Sequence, residues 1–319
     1  GGENVGEYLT ASISGAKSPG LPIRTHAVWM RIEKTPGARS HVRLLRRLWN
    51  LAERKEIAAV TLAVRAEPAG SYAHAEELAD AFRVLRARGK KVICSFEDAG
   101  PKALYACASA DRIVVNPAGG IRYSGMKATY LYIASLLEKI GVKAEFVRIG
   151  AHTAAPEMFT NEHGSEVARE DQRDLLRQYE AVFVRNLSTY RHLSEEQVRA
   201  ATLKGPFTAP EARAFGLVGS FAFDDELERV TREVVGSHVP YVRYEDESRA
   251  PDRFGVEGKI GLLYVDGDIV DGRSQTIPLL GTRLVGSYTI GDTIEALKKN
   301  GSVKAVVLRI ESPGGSSMT

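Results

Sequence analysis

The strongest constraint on this chain is a pattern that it states twice. Residues Ala59 to Val64 read Ala-Val-Thr-Leu-Ala-Val and run into Pro68-Ala-Gly-Ser71, while Ala305 to Ile310 read Ala-Val-Val-Leu-Arg-Ile and run into Pro313-Gly-Gly-Ser316. With one residue inserted the two stretches align, and the strand-helix-strand order before each agrees as well. β-Branched apolar runs of this length are buried strands, and Pro/Gly turns close them. A chain that alternates such strands with helices builds a parallel sheet covered by helices. Stating the unit twice predicts one complete α/β copy and the opening third of a second.

The same alternation predicts a strand over Thr25 to Glu33, a basic helix over Ser40 to Arg54 with Val42, Leu45, Leu48 and Leu51 at helical spacing, and a buried strand over Ile57 to Val64. A helix over Ala75 to Ala87, a strand over Lys91 to Phe96, a helix over Pro101 to Ser109 and a short strand over Arg112 to Val115 follow. Asn116 to Gly120 reads as a turn, Lys127 to Ile140 as an amphipathic helix, and Ala144 to Ile149 as a strand. Val167 to Tyr190 is a long helix with Leu176, Tyr179, Phe183 and Leu187 on one face. Ser194-Glu-Glu-Gln197 and Thr208-Ala-Pro-Glu211 are capping-box entrances to short helices, and Asp225 to Val235 is helical. Gly236 to Gly258, rich in charge with two prolines, reads as a linker. Beyond it come a strand over Ile260 to Val265, a long Gly-containing loop over Ile269 to Tyr288, a helix over Thr289 to Lys299 and a strand over Val303 to Ile310. The expected organisation is a polar arm at 1–23, a first repeat at 24–236, a linker at 237–258 and the start of a second repeat at 259–319.

Composition narrows the function classes. A net charge of +3, with both signs interspersed, leaves no electrostatic footprint for nucleic acid. No window approaches eighteen consecutive apolar residues, so nothing in the sequence spans a bilayer as a helix, and the Gly-Gly start carries no leader pattern; a leader or anchor would lie upstream. Cys94 and Cys107 sit in apolar segments without metal or redox spacing and read as two buried thiols. The histidines are scattered, and no His/Asp/Glu set has a ligand spacing, so neither a metal nor a cofactor is expected.

There is no G-x-S-x-G elbow, Walker loop or dinucleotide fingerprint, which leaves the glycine turn after the last strand as the place for chemistry. Successive glycine amides at a strand end can point into one concavity and bind an oxyanion, or receive a substrate strand at the sheet edge. The same Ser312-Pro-Gly-Gly315 is also what a plain tight turn looks like.

Several segments together resemble a family. They are Gly261-Leu-Leu-Tyr-Val-Asp-Gly-Asp-Ile-Val270, Gly291-Asp292, the Val303 to Ser316 stretch, Arg148-Ile-Gly-Ala-His152, and Phe207-Thr208 with Glu211-Ala212 and Gly216-Leu-Val218. In order and spacing they look like signal peptide peptidase A (protease IV) in its long two-repeat form, and the resemblance runs from about Arg24 to the end of the chain. It implies a crotonase/caseinolytic-protease-like fold in each repeat, a tetramer at the bacterial membrane with its peptidase region on the extracytoplasmic side, and cleavage of leftover signal peptides. Membrane association would come through a segment not in this chain.

The resemblance further implies a Ser/Lys dyad, in which a lysine of lowered pKa takes the proton from a serine nucleophile. The lysine position falls on Thr153, and threonine offers no basic form at neutral pH. His152 is next to it; Lys127, Lys139 and Lys143 lie on or beside the amphipathic helix and read as solvated. The nucleophile segment of the family lies some forty residues past the glycine turn, beyond Thr319. Ser316 and Ser317 therefore read as turn residues, and Pro101 stands roughly where the first repeat would carry a serine. Gly314 and Gly315 are the best-matched site residues, as backbone donors in the substrate groove. Two readings follow: a serine endopeptidase of the signal peptide peptidase type, inactive as the chain stands, and a non-catalytic homologue that binds peptides or scaffolds an assembly. An acyl-CoA enzyme of the crotonase type shares the glycine-turn geometry but not the tandem repeat.

Overall fold

The computed structural model of the protein describes residues 24–146, 154, 156–245, 258–277 and 282–316. The first strands and helices follow the predicted alternation: β1 His26–Ile32, α1 Ala38–Glu53, β2 Ile57–Val64, α2 Tyr72–Ala87, β3 Lys91–Ala99, α3 Pro101–Cys107 and β4 Arg112–Ile121. Then come the short helices α4 Ala134–Lys139 and α5 Glu157–Thr160, the long α6 Glu166–Arg191, α7 Glu195–Lys204, β5 Phe207–Thr208, α8 Ala209–Ala214, β6 Ser220–Phe221, α9 Leu227–Val235 and β7 Tyr241–Arg243. The chain resumes with β8 Lys259–Asp266, β9 Asp268–Val270, β10 Gln275–Ile277, β11 Thr282–Gly286, α10 Ser287–Lys299 and β12 Val303–Glu311.

The central sheet runs in the order β5-β4-β3-β2-β1-β7, with β6 also on β4. All its pairings are parallel except β4 with β5. Period-two alternation divides each central strand between two cores. Leu62 and Val64 of β2 and Val92, Cys94 and Phe96 of β3 face α1, α2, α3 and α6, in a core that also takes Leu45, Leu48, Leu78, Phe82 and Phe183. Ala59 and Ala63 of β2 and Ile93 of β3 face the other way, under Leu227 and Val230 of α9. The small side chains on that face let α9 come close. There the buried hydroxyls of Thr61 and Thr231 hydrogen-bond at 2.7 Å, and Thr231 donates to the Leu227 carbonyl.

Both capping boxes form as predicted, Ser194 with Gln197 and Thr208 with Glu211. Other expectations are corrected. Asn116 to Gly120 is not a free turn but part of β4, where the register with β3 slips between Phe96 and Asp98. Gly119 is needed in that bulge, since a Cβ would lie 1.7 Å from the Glu97 carbonyl oxygen. The helix predicted over Lys127 to Ile140 is reduced to Ala134–Lys139, because Leu131, Leu136 and Ile140 remain exposed and an amphipathic face without packing holds little helix. Residues 144–146 are not in a strand, and 147–149 lie outside the described residues. The supposed loop after Ile269 contains β10 and β11, antiparallel to each other, with β11 parallel to β9. Cys94 and Cys107 are not separate thiols but a disulfide joining β3 to α3, with Cα atoms 6.2 Å apart.

β8 and β12 form a parallel pair in continuous register from Ile260–Ala305 to Asp266–Glu311. Within the predicted linker, Tyr241–Arg243 pairs with β1 as a further strand of the central sheet.

Candidate functional site

The two copies of the strand–turn pattern lie on either side of one cleft. After β2 the chain turns through Gly70, and Ser71 caps α2 by accepting the His74 N–H at 3.1 Å. The spacing of three places His74 and Glu77 on one face of α2. α1 presents His41 from its buried face to the same place. From the other side β12 presents Arg309 and Glu311, which share a face because they are two apart. A cleft of about 1420 Å³ separates these walls, lined by apolar Val42, Leu45, Trp49, Ile260, Leu308 and Ile310 as well as the polar groups.

The polar groups form one connected network. Arg309 donates from both terminal nitrogens to the two Glu77 oxygens, at 2.8 and 2.9 Å, and from Nε to Glu311 Oε1 at 2.5 Å. His41 Nε2 lies 2.9 Å from Glu77 Oε2, and His74 Nε2 lies 3.0 Å from Glu311 Oε1. The imidazoles stack with centroids 4.1 Å apart and planes at 11°. A carboxylate only accepts, so each Nε2 carries the proton. Both Nδ1 atoms are buried and unpartnered, which suits a lone pair and would strand a second proton. The fully buried His41 ring is therefore neutral.

Electrostatics agree with that assignment. Burial, followed by the neighbouring His74, lowers His41 from 6.5 to about 4, against the opposing pull of Glu77. Hydrogen bonds from Arg309 hold Glu77 below the usual carboxylate range. Burial raises Glu311, but the hydrogen bonds from Arg309 and His74 outweigh it and the net shift is downward. Arg309 is raised, chiefly by its hydrogen bonds to Glu77.

His41, His74 and Glu77 also bring one donor atom each within 4.8 Å of one another, a grouping that could hold a metal ion and that sequence spacing does not reveal. The Arg309 guanidinium already supplies the cation, gripping Glu77 at both oxygens, and near-parallel rings do not converge on a common point as tetrahedral ligands must.

Immediately after Glu311 comes the glycine turn. Gly314 donates its N–H to Ser312 Oγ at 3.0 Å, and its carbonyl accepts the Ile269 N–H at 2.8 Å. The Ile269 carbonyl accepts the Ser316 N–H at 2.9 Å, so the turn adds to β9 as a parallel bridge through Gly315. Gly314 and Gly315 have φ of 114° and 148°, and a Cβ on Gly315 would sit 2.0 Å from the Ile269 oxygen. The Gly314 amide is thus engaged within the turn, whereas Gly315 has no acceptor among the described residues. Thr153, His152 and Ser317 lie outside the described residues. Lys127, Lys139 and Lys143 are exposed, and Lys143 pairs with Glu145 at 3.1 Å. Pro101 opens α3 as its first residue.

Residues 84–236 match the sequence model of peptidase family S49. The chain is 27% identical over 246 residues to Protease 4 of Haemophilus influenzae, covering 72% of this chain and 39% of that protein. It is 28% identical over 250 residues to Protease 4 of Salmonella typhi, covering 74% and 39%. Against the chloroplastic serine protease SPPA of Arabidopsis thaliana the identity is 22% over 240 residues, covering 72% and 35%. The chain thus spans about two-fifths of the length of the curated relatives it matches. Among solved structures it is similar to a mutant of the 1510-N membrane-bound stomatin-specific protease, with TM-score 0.47 and 12% identity over 70% of this chain and 100% of that one. An enoyl-CoA hydratase from Shewanella pealeana gives 0.41 and 12%, over 67% and 71%.

Proposed function

From the match of residues 84–236 to the sequence model of peptidase family S49, we infer that the protein belongs to a serine endopeptidase that receives extended, apolar peptides, signal peptides among them, along the cleft between α2 and β12. The observation that carries this reading is the Ser312–Ser316 turn. It is laid on β9 with Gly315 too close to Ile269 for any side chain, and it stands at the mouth of an apolar cleft. An extended peptide adds to such an edge through main-chain hydrogen bonds, and the Gly315 amide is the donor available to it.

The chemistry proposed is a Ser/Lys dyad with its base at position 153, where this chain has threonine, and its nucleophile beyond Thr319. Threonine cannot accept the serine proton, so peptide binding without turnover is the expected behaviour, and that is the second reading: a non-catalytic homologue that binds peptides or scaffolds an assembly. We place the domain on the extracytoplasmic side of a bacterial membrane, as part of a homo-oligomer. The Cys94–Cys107 disulfide supports the compartment, because disulfides persist where the surroundings are oxidising. No described helix is long and apolar enough to cross a membrane.

The test pairs binding with turnover. A fluorescein-labelled Leu/Ala-rich decapeptide should bind the protein by anisotropy. The complete gene product carrying Thr153→Lys should then cleave the peptide and label with a fluorophosphonate, whereas Thr153 should bind and not cleave. Absence of peptide binding in both forms overturns the peptidase reading.

A further inference from the structure

We propose that Glu77 and His74 of α2 are positioning residues for the peptide-lining turn, setting where Ser312 to Ser316 sits by holding Arg309 and Glu311 at the end of β12. The role of the turn in peptide binding rests on the function proposed above; the positioning itself does not.

Three observations converge. First, β12 is exposed along most of its length, with Val306, Val307, Leu308 and Ile310 between 47 and 60% accessible, and Arg309 and Glu311 are the covered positions at its end. Beyond its main-chain ladder with β8, the strand is therefore held here by polar side chains rather than by an apolar face. Second, the hold is two-point and angular: Arg309 is bidentate on Glu77, its Nε is on Glu311, and His74 fixes the same Glu311 oxygen. A planar guanidinium gripped by two carboxylates defines an orientation, which a single ion pair does not. Third, Glu311 is bonded directly to Ser312, whose hydroxyl receives the Gly314 N–H, so no flexible residue intervenes between the grip and the turn. α2 is capped by Ser71 of the first copy of the pattern, and it thereby fixes the glycine turn of the second copy.

The charged and titratable groups around this grip are His41 and Arg46 from α1, His74, Glu77 and Asp80 from α2, and Arg309 and Glu311 from β12; all but the buried His41 line the cleft. Asp80 is engaged elsewhere, with Arg83. Removing charge at Glu77 alone leaves Arg309 with Glu311, which is not enough to fix its plane.

Hydrogen–deuterium exchange on the 319-residue protein tests this, comparing wild type, Glu77→Gln, the shortened but still charged Glu77→Asp, and Arg309→Lys. Arg309→Lys keeps a cation and loses the fork. Expected is exchange on the order of tenfold faster in 303–316 for Glu77→Gln and Arg309→Lys, an intermediate rate for Glu77→Asp, and unchanged protection in β2 and β3. Unchanged exchange at 303–316, or β2 and β3 opening in step with it, overturns the proposal. Binding of the labelled decapeptide is measured on the same samples. If 303–316 loosens as expected but wild type binds no peptide, the positioning stands and the peptidase reading falls.

Discussion

Glu77 receives both terminal nitrogens of Arg309, at 2.8 and 2.9 Å, across a sequence separation of 232 residues. This single pair ties the helix that follows the first strand–turn pattern to the strand that carries the second. Arg309 is about one-fifth exposed and Glu77 about two-fifths, so solvent screens the pair in part, and its value lies in geometry as much as in energy.

Arg309→Met should lower unfolding stability by about 2 kcal/mol, since it leaves Glu77 and Glu311 facing each other without the cation that separates them. Glu77→Gln should cost a similar amount. The double variant should fall well short of the sum, because each single change already breaks the shared contact. Urea midpoints of the four proteins measure the coupling; strict additivity would mean that the pair contributes nothing.

The two glycines of the turn should not be equivalent. Gly315→Ala puts a methyl 2.0 Å from the Ile269 oxygen, and this contact is backbone on backbone, so the turn must leave β9. Gly314→Ala meets nothing within 4 Å and bears only the strain of its positive φ, on the order of 1–2 kcal/mol. Gly315→Ala should therefore abolish binding of an extended peptide, and Gly314→Ala should weaken it. Equal effects would show that close approach to Ile269 is not what matters.

Cys94 and Cys107 should resist alkylation in denaturant until a reductant is added, as read by intact mass. Changing both to alanine should destabilise the protein by about 3 kcal/mol, the loop-closure value for a crosslink of this span. Alkylation without reductant would put the two thiols back as separate core residues.

How much of this the sequence could tell divides along the range of the interactions. β2 Ile57–Val64 and α6 Glu166–Arg191 were legible because a buried strand and a one-sided helix each carry their own periodicity. Gly314 and Gly315 were legible as a turn for the same local reason. β10 and β11 were not, since their pairing depends on partners in other segments. The disulfide needs β3 and α3 to be folded before the two sulfurs meet. The His41–His74 stack is beyond any spacing rule: the residues are 33 positions apart by their numbers, on different helices, and only the packing of α1 on α2 joins them. One signal was available, a histidine at position 41 on the apolar face of α1 beside Val42 and Leu45, where a polar side chain needs a partner.

That histidine sets the acid sensitivity of the fold. In the unfolded chain His41 takes a proton as pH falls through 6.5, while in the folded protein burial and His74 hold it neutral until about 4. Between these values the unfolded state binds more protons, so stability falls as pH is lowered across this window and the contribution levels off below about 4. The full swing is on the order of 3 kcal/mol. Glu77 and Glu311 have the opposite sense: their carboxylates lie below the ordinary 4.5, so what they add is present above it and is lost only as pH drops further. The histidine limb therefore comes first. His41→Gln keeps an N–H to offer Glu77 and cannot titrate, so its urea-unfolding stability should be flat from pH 7 to 5 where the wild type declines. Parallel curves for the two proteins over that range would show that the buried ring is not the sensor.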